Sequence, residues 1–90
     1  GGTAEIVGRL LRKLGEQVQI VCITHQPQVA AQGHQHLLVE KQHGEQTASH
    51  IRSLDNEQRV LELARMSGGV EINQSTLNHA RHLLGQAVQA

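Results

Sequence analysis

Residues 18–33 read VQIVCITHQPQVAAQG, and this stretch decides which fold the sequence predicts. Its first part, Val18 to Thr24, is a short apolar run rich in β-branched residues. A run with almost no polar alternate face is typical of a strand that is covered on both sides in a parallel sheet. The run stops at His25, two residues before Pro27, the only proline of the chain. The sequence therefore predicts a buried strand with a histidine at its carboxyl end.

Helical patterns precede and follow this predicted strand. The preceding pattern has Glu5 in its first turn, basic residues towards its end and Gly15 as a stop. A short helix is predicted from Gln28 to Gln32, because Pro27 is tolerated in a first helical turn and Gly33 can end it. A helix that leads into a buried strand favours the α/β class. The apolar positions of the first predicted helix are Ile6, Val7, Leu10, Leu11 and Leu14.

The middle of the chain has the pattern of a β-hairpin. Residues 36–42 and 46–54 predict two antiparallel strands joined at HGE, residues 43–45, where Gly44 suits a turn. Both strands contain many polar residues, so we expect the hairpin to lie partly exposed at a sheet edge.

Two more helices are predicted after the hairpin. Asp55 and Gln58 have the spacing of a capping box, which would open a helix that ends near SGG, residues 67–69. The last helix is predicted from about Ser75, and no linker or internal repeat divides residues 1–90, so we predict a single domain or part of one. The predicted buried positions are Val60, Leu61 and Ala64 in the first of these helices and Leu77, Ala80, Leu83, Leu84, Ala87 and Val88 in the second.

Composition limits the classes of protein to consider. The chain has 90 residues without Phe, Tyr or Trp, so its core must be aliphatic and its stability margin thin. Eight basic and eight acidic residues balance. The sequence has no basic cluster of the kind that would indicate direct DNA binding. A single cysteine, Cys22, and the short apolar runs favour a cytoplasmic protein without a membrane span. Because the chain begins at Gly1 without a targeting pattern, we expect a piece of a longer protein.

Motifs for phosphate and metal binding are incomplete. Residues 68–76, GGVEINQST, have the glycines of a phosphate loop but no lysine, and no aspartate-rich strand suits magnesium. Among the seven histidines, His34 with His36 and His79 with His82 could share a face, but neither pair has the further ligands that a zinc site requires. We expect these four histidines to be solvated surface residues and no metal to be bound.

His25 differs from the other histidines by its position. In open α/β sheets, ligands bind outside the carboxyl ends of the parallel strands, where His25 is predicted to lie. A polar residue at a strand end can equally be solvated or bonded to backbone, so position alone leaves both readings open.

Nearly the whole chain carries one order of segments: residues 1–41, GGTAEIVGRLLRKLGEQVQIVCITHQPQVAAQGHQHLLVEK, then a Thr-containing strand, then RVLELARMSGG and LNHARHLL. This order resembles the extreme C-terminal end of the RecN family of bacterial DNA repair proteins. The RecN family is similar to the SMC-type ABC ATPases, in which both chain termini form one globular head. This chain would be the C-terminal part of such a head, with one core parallel-type strand, an antiparallel hairpin and flanking helices.

The resemblance implies roles for only a few residues. Gly1 and Gly2 would follow the loop that crosses to the partner head, and His25 would be the switch histidine, a catalytic residue that contacts the γ-phosphate of ATP. ATP and Mg²⁺ would be cofactors of the intact protein, and the 90-residue chain alone would bind neither. The implied partners are the N-terminal part of the same head, a second head in an ATP-dependent dimer, and DNA through the intact protein, which acts in double-strand break repair and recombination at the nucleoid.

Two features leave this interpretation open. Gln26 stands where the family pattern has a hydrophobic residue, and Ser67 stands where it has leucine. The alternative is a stand-alone α/β interaction or regulatory module whose histidine is structural. If the chain is a piece of a head, its central strand lacks neighbours, so we also expect it to self-associate.

Overall fold

The computed structural model describes residues 2–42, 44, 48–68 and 71–89. In these residues the chain forms four helices and one two-stranded antiparallel sheet, which is a small mixed α/β arrangement. None of the described helices has the length and apolarity that crossing a bilayer requires. The elements are α1 (Gly2–Gly15), α2 (Pro27–Ala30), β1 (Leu37–Gln42), β2 (Ala48–Ser53), α3 (Asn56–Met66) and α4 (Gln74–Gln89).

The predicted buried strand, residues 18–24, is wrong for this chain. Residues 19–24 have no regular secondary structure, Val21 is 78% exposed and Ile23 is 98% exposed. Strand preference is a preference for a pleated, covered surface, and it becomes a strand only when neighbouring strands supply hydrogen-bond partners. Among the described residues the only sheet pairs β1 with β2, so this apolar run remains uncovered.

The predicted hairpin is confirmed: β1 begins one residue later and β2 ends one residue earlier than predicted, and residues 46 and 47 of the second predicted strand lie outside the described residues. β1 and β2 pair antiparallel, with Leu37 opposite Ser53 and Gln42 opposite Ala48. Of the predicted turn at residues 43–45, positions 43 and 45 lie outside the described residues. Because side chains alternate along a strand, one face of the hairpin carries a set of apolar residues, all of them exposed. They are Leu37, Val39 and Ile51.

Helix α3 begins at the predicted capping box. The Asp55 carboxylate accepts a hydrogen bond from the Gln58 backbone N–H at 2.8 Å, and the Gln58 side chain accepts one from the Asp55 N–H at 2.9 Å. The helix ends at Met66, and Gly68, two residues later, has a φ of +87°, a left-handed conformation that glycine adopts without strain. The prediction that Leu61 is buried is wrong, because Val60, Leu63 and Ala64 share the covered face and Leu61 points away from it.

Helix α4 begins one residue before the predicted start. Asn73 and Thr76 exchange hydrogen bonds at its first turn: each backbone N–H donates to the other residue's side-chain oxygen at 3.0 Å. Val88, predicted to be buried, is 78% exposed, whereas Ala80, Leu83 and Ala87 are buried as predicted.

The hydrophobic core lies between α2, α3 and α4. It is built mainly from small aliphatic side chains, which lets the helices approach closely. Its buried members are Ala31, Val60, Leu63, Ala64, Ala80 and Leu83.

Helix α1, confirmed in its extent, packs mainly against α2. An amphipathic helix is expected to bury its apolar face, but most of the apolar face of α1 is uncovered. Ile6, Leu10 and Leu14 are each more than half exposed. The uncovered face of α1 and the uncovered run at residues 18–24 follow each other along the chain.

Candidate functional site

His25 lies in the short connection between the uncovered run and α2. The Thr24 hydroxyl accepts a hydrogen bond from the Gln26 backbone N–H at 3.0 Å, which bends the chain around His25. Gln26 then precedes α2 in an extended conformation, and Pro27 opens the helix. The His25 side chain is exposed, so its imidazole is free to meet a group from outside the described part of the chain.

Helix α2 has only four residues, so its own hydrogen bonds cannot hold it in water. Its carbonyl end is held by two arginines from different helices. Arg12 of α1 donates to the Gln32 carbonyl oxygen at 2.8 Å. Arg59 of α3 donates from one Nη2 to the Gly33 oxygen at 2.9 Å and, at longer range, to the Ala30 and Ala31 oxygens at 3.3 and 3.4 Å. The closest acceptors, the Gln32 and Gly33 oxygens, lie two and three residues after the last residue of α2, so the arginines hold the helix through the segment that follows it.

Helix α1 packs closely against α2 at one position. Gly8 is the buried residue of α1, and a Cβ atom at this position would lie 3.0 Å from the Gln32 Cγ, 3.2 Å from the Gln28 carbonyl oxygen and 3.3 Å from the Val29 Cα. Two of these three neighbours are backbone atoms of α2 and cannot move aside cheaply. The absence of a side chain at Gly8 therefore sets how closely α1 approaches α2.

The electrostatics of this region come from partly buried positive groups. Burial, and secondarily the charge of Arg12, lower the pKa of Arg59. Burial is also the main reason why the pKa of His36 is lowered, with Arg59 lowering it further and Glu62 raising it. The described ion pairs join other residues, namely Glu5 with Arg9, Glu40 with Arg52, and Glu62 with Arg65. The two arginines at α2 thus have backbone carbonyls rather than carboxylates as their partners.

The remaining candidate histidines do not gather at His25. His34, His79 and His82 are exposed as predicted, whereas the prediction for His36 is wrong. His36 is half-buried, and its Nδ1 is buried without a hydrogen-bond partner among the described residues. The residue directly precedes β1. In the described part of the chain, no three His, Cys, Asp or Glu side chains come together as metal ligands would.

The two departures from the family pattern lie at helix ends. Gln26 is the residue before α2, exposed and without a side-chain capping bond. The Ser67 hydroxyl donates to the Leu63 carbonyl oxygen at 2.9 Å and so supports the end of α3. Ser67 also borders an open cleft of about 570 Å³, which is lined by Pro27, Met66 and His79 among others but does not include His25.

Sequence reasoning missed the residues that hold α2. Arg59 was detectable in principle, since it lies four positions before Leu63 and next to Val60 on the covered side of α3, where a charged residue needs a partner. Arg12 and Gly8 carry no such local signal. Their partners lie about twenty or more positions away along the chain, at residues 28–32.

Comparisons with known proteins identify the segment. No family model matches the chain. It is 53% identical over 85 residues to the DNA repair protein RecN of Vibrio cholerae, 49% identical over 85 residues to that of Xylella fastidiosa, and 37% identical over 90 residues to that of Bacillus subtilis. These matches cover 93 to 99% of this chain but only 15 to 16% of each relative. Over 93 to 99% of its length the chain is therefore similar to the C-terminal end of DNA repair proteins named RecN.

Proposed function

We propose that this chain is the C-terminal portion of an SMC-like ATPase head that acts in DNA double-strand break repair and recombination, and that His25 is its switch histidine. One observation carries the proposal: an exposed histidine directly follows an uncovered apolar run and lies two residues before a helix whose following segment is held by two arginines. The relatives carry the name DNA repair protein. The rest of the activity is inferred from the resemblance to ABC-type ATPases.

The uncovered apolar surfaces support a head that is completed by other parts of the protein. Residues 18–24 have the composition of a central strand but lack partner strands, and α1, which precedes them in the chain, exposes Ile6 and Leu10. The chain spans about 15% of its relatives, so a full-length protein has ample further sequence to cover both surfaces. We infer that the N-terminal part of the same head pairs with residues 18–24 and makes them a buried strand.

In this completed head, His25 would lie at the carboxyl end of a paired strand, where ligands bind in open α/β sheets. The fit to ATP is limited to one group, since the imidazole N–H can donate a hydrogen bond to a γ-phosphate oxygen and help to align the attacking water. ATP with Mg²⁺ supplies the transferable phosphoryl group. The phosphate loop, the magnesium carboxylates, a second head and the DNA contacts would come from outside this chain.

It follows that the 90-residue chain alone should not bind ATP appreciably. One histidine cannot replace a cradle of backbone N–H groups with a lysine. Calorimetric titration of the chain with Mg-ATP should give no saturable heat. A micromolar dissociation constant would contradict the inference that the nucleotide site is shared with other parts of the protein.

The test of the switch role is His25→Ala in the full-length protein. The hydrogen bond would act on charge that develops in the transition state, so its loss should lower ATP turnover by about 10²–10³-fold and leave equilibrium nucleotide binding largely unchanged. His34→Ala, His79→Ala and His82→Ala are matched controls, because these histidines are exposed and have no proposed contact with the nucleotide, and they should retain parental turnover. Parental turnover in His25→Ala would refute the assignment.

A further inference from the structure

His25 lies in a short connection whose position depends on where α2 lies. His25 is exposed, and the local support around it is the turn that Thr24 makes with the Gln26 N–H. Pro27 follows at once, and the helix it opens is a single turn long. A displacement of α2 would therefore move His25 with it.

Two guanidinium groups help to determine where α2 lies, together with the close contact at Gly8. Arg12 reaches the Gln32 carbonyl oxygen from α1 at 2.8 Å, and Arg59 reaches the Gly33 carbonyl oxygen from α3 at 2.9 Å. The contacts come from two different helices, and their acceptors are the carbonyl oxygens of two adjacent residues just after α2. Together they tie the segment that follows α2 to both α1 and α3.

The arrangement is costly enough to require a reason. Arg12 and Arg59 are like charges close enough to interact, both are partly buried, and their hydrogen bonds go to neutral carbonyl groups. Other arginines of the same helices behave differently: Arg9 of α1 and Arg65 of α3 are exposed and pair with carboxylates one turn away. Since exposed ion pairs contribute little to stability, Arg9 and Arg65 are natural comparators.

We propose that Arg12 and Arg59 are positioning residues, which set the place of the His25 imidazole by binding the backbone carbonyl groups of Gln32 and Gly33, just after α2. This proposal rests on the proposed switch role of His25. Neither arginine touches the nucleotide; each acts through the backbone of α2. Because catalytic hydrogen bonds depend steeply on geometry, a small shift of α2 should lower turnover far more than nucleotide affinity.

The experiment uses the full-length protein and compares Arg59→Gln with Arg65→Gln, and Arg12→Gln with Arg9→Gln. Each pair removes one positive charge from the same helix. Arg59→Gln and Arg12→Gln should lower kcat by about 10- to 10²-fold with the Kd for Mg-ATP within about twofold of the parental value. Arg65→Gln and Arg9→Gln should leave both quantities near the parental values.

Coupling to His25 separates positioning from general destabilisation. In a His25→Ala background, Arg59→Gln should cause no further loss of turnover, because the group it positions is already gone. Arg59→Lys keeps a donor near the Gly33 oxygen and should recover part of the rate, and it serves as the second variant if Arg59→Gln folds poorly.

Three results would overturn the proposal: equal losses from Arg59→Gln with and without His25, a parallel loss of nucleotide affinity, or turnover equal to that of Arg65→Gln. A parental rate in His25→Ala alone is a different result. It would refute the switch role rather than the mechanical link between the arginines and α2.

Discussion

Replacing Ile23 by lysine should have opposite consequences in the 90-residue chain and in the full-length protein. In the chain, Ile23 is 98% exposed. A substitution at so exposed a position, away from caps and core, changes the free energy of unfolding by no more than about 0.5 kcal/mol. The Ile23→Lys chain should therefore unfold at nearly the parental denaturant concentration.

In a completed head, residues 18–24 would form a paired strand that is covered on both faces. The Ile23 side chain would then be buried. Burying an isoleucine contributes about 1.5–3 kcal/mol, and burying an unpaired lysine adds a further penalty, so the substitution would cost several kcal/mol. This is a large share of the 5–15 kcal/mol that typically stabilises a domain. The full-length Ile23→Lys protein should show a lower melting temperature for the head and little ATP turnover.

The assay is urea unfolding of the dilute chain, followed by circular dichroism, beside thermal unfolding and turnover of the full-length protein. Leu63→Ala is the control, because Leu63 is fully buried in the core that the chain already has. It should destabilise both proteins by about 2–5 kcal/mol. If Ile23→Lys weakens the isolated chain as Leu63→Ala does, or leaves the full-length protein intact, then residues 18–24 are not a strand awaiting partners.

Three further predictions concern the chain itself. Uncovered apolar surface along residues 18–24 should drive self-association, and sedimentation should show a dimer or larger species whose population falls in Ile23→Lys; a stable monomer at high concentration would contradict this. Asp55→Ala removes one half of the capping box and should cost about 0.5–2 kcal/mol in urea unfolding, against almost nothing for Glu57→Ala in the same first turn. Because burial lowers the pKa of His36 in the folded chain, the unfolded chain binds more protons at mildly acidic pH, so this contribution to stability is complete above about pH 6.5 and is lost as the pH falls further. His36→Gln should reduce the difference in unfolding free energy between about pH 7.5 and about pH 5.5, and an unchanged difference would show that other groups cause it.

The elements that could be predicted from sequence are those that neighbouring residues determine. The capping box at Asp55 and Gln58 depends on residues three positions apart, and the end of α3 near Gly68 depends on one residue's conformational freedom. The hairpin likewise follows from two alternating segments joined by a short turn. In each case the partners that form the structure are close in the sequence.

The predictions that fail depend on partners that are distant in sequence or lie outside this chain. The composition of residues 18–24 is that of a covered strand, but composition cannot supply neighbouring strands. Similarly, helical periodicity identifies α1 but not what its apolar face meets. The candidate site was predicted only at His25, and that assignment stays a prediction. Its supports, Arg12 and Arg59, bind carbonyl groups 20 and 26 residues away. No pattern of side chains in the sequence identifies such acceptors.

The close contact at Gly8 has a mechanical consequence. A 14-residue helix is about 21 Å long and stiff, and α1 rests on α2 near its own middle, with Arg12 fastened one turn further on. A stiff helix that is supported near its middle tilts about that point, so a force on the first residues of α1 would tilt α1 against α2. The loop that carries His25 would then respond to a force applied at the first turn of α1, about 9 Å along the helix from Gly8.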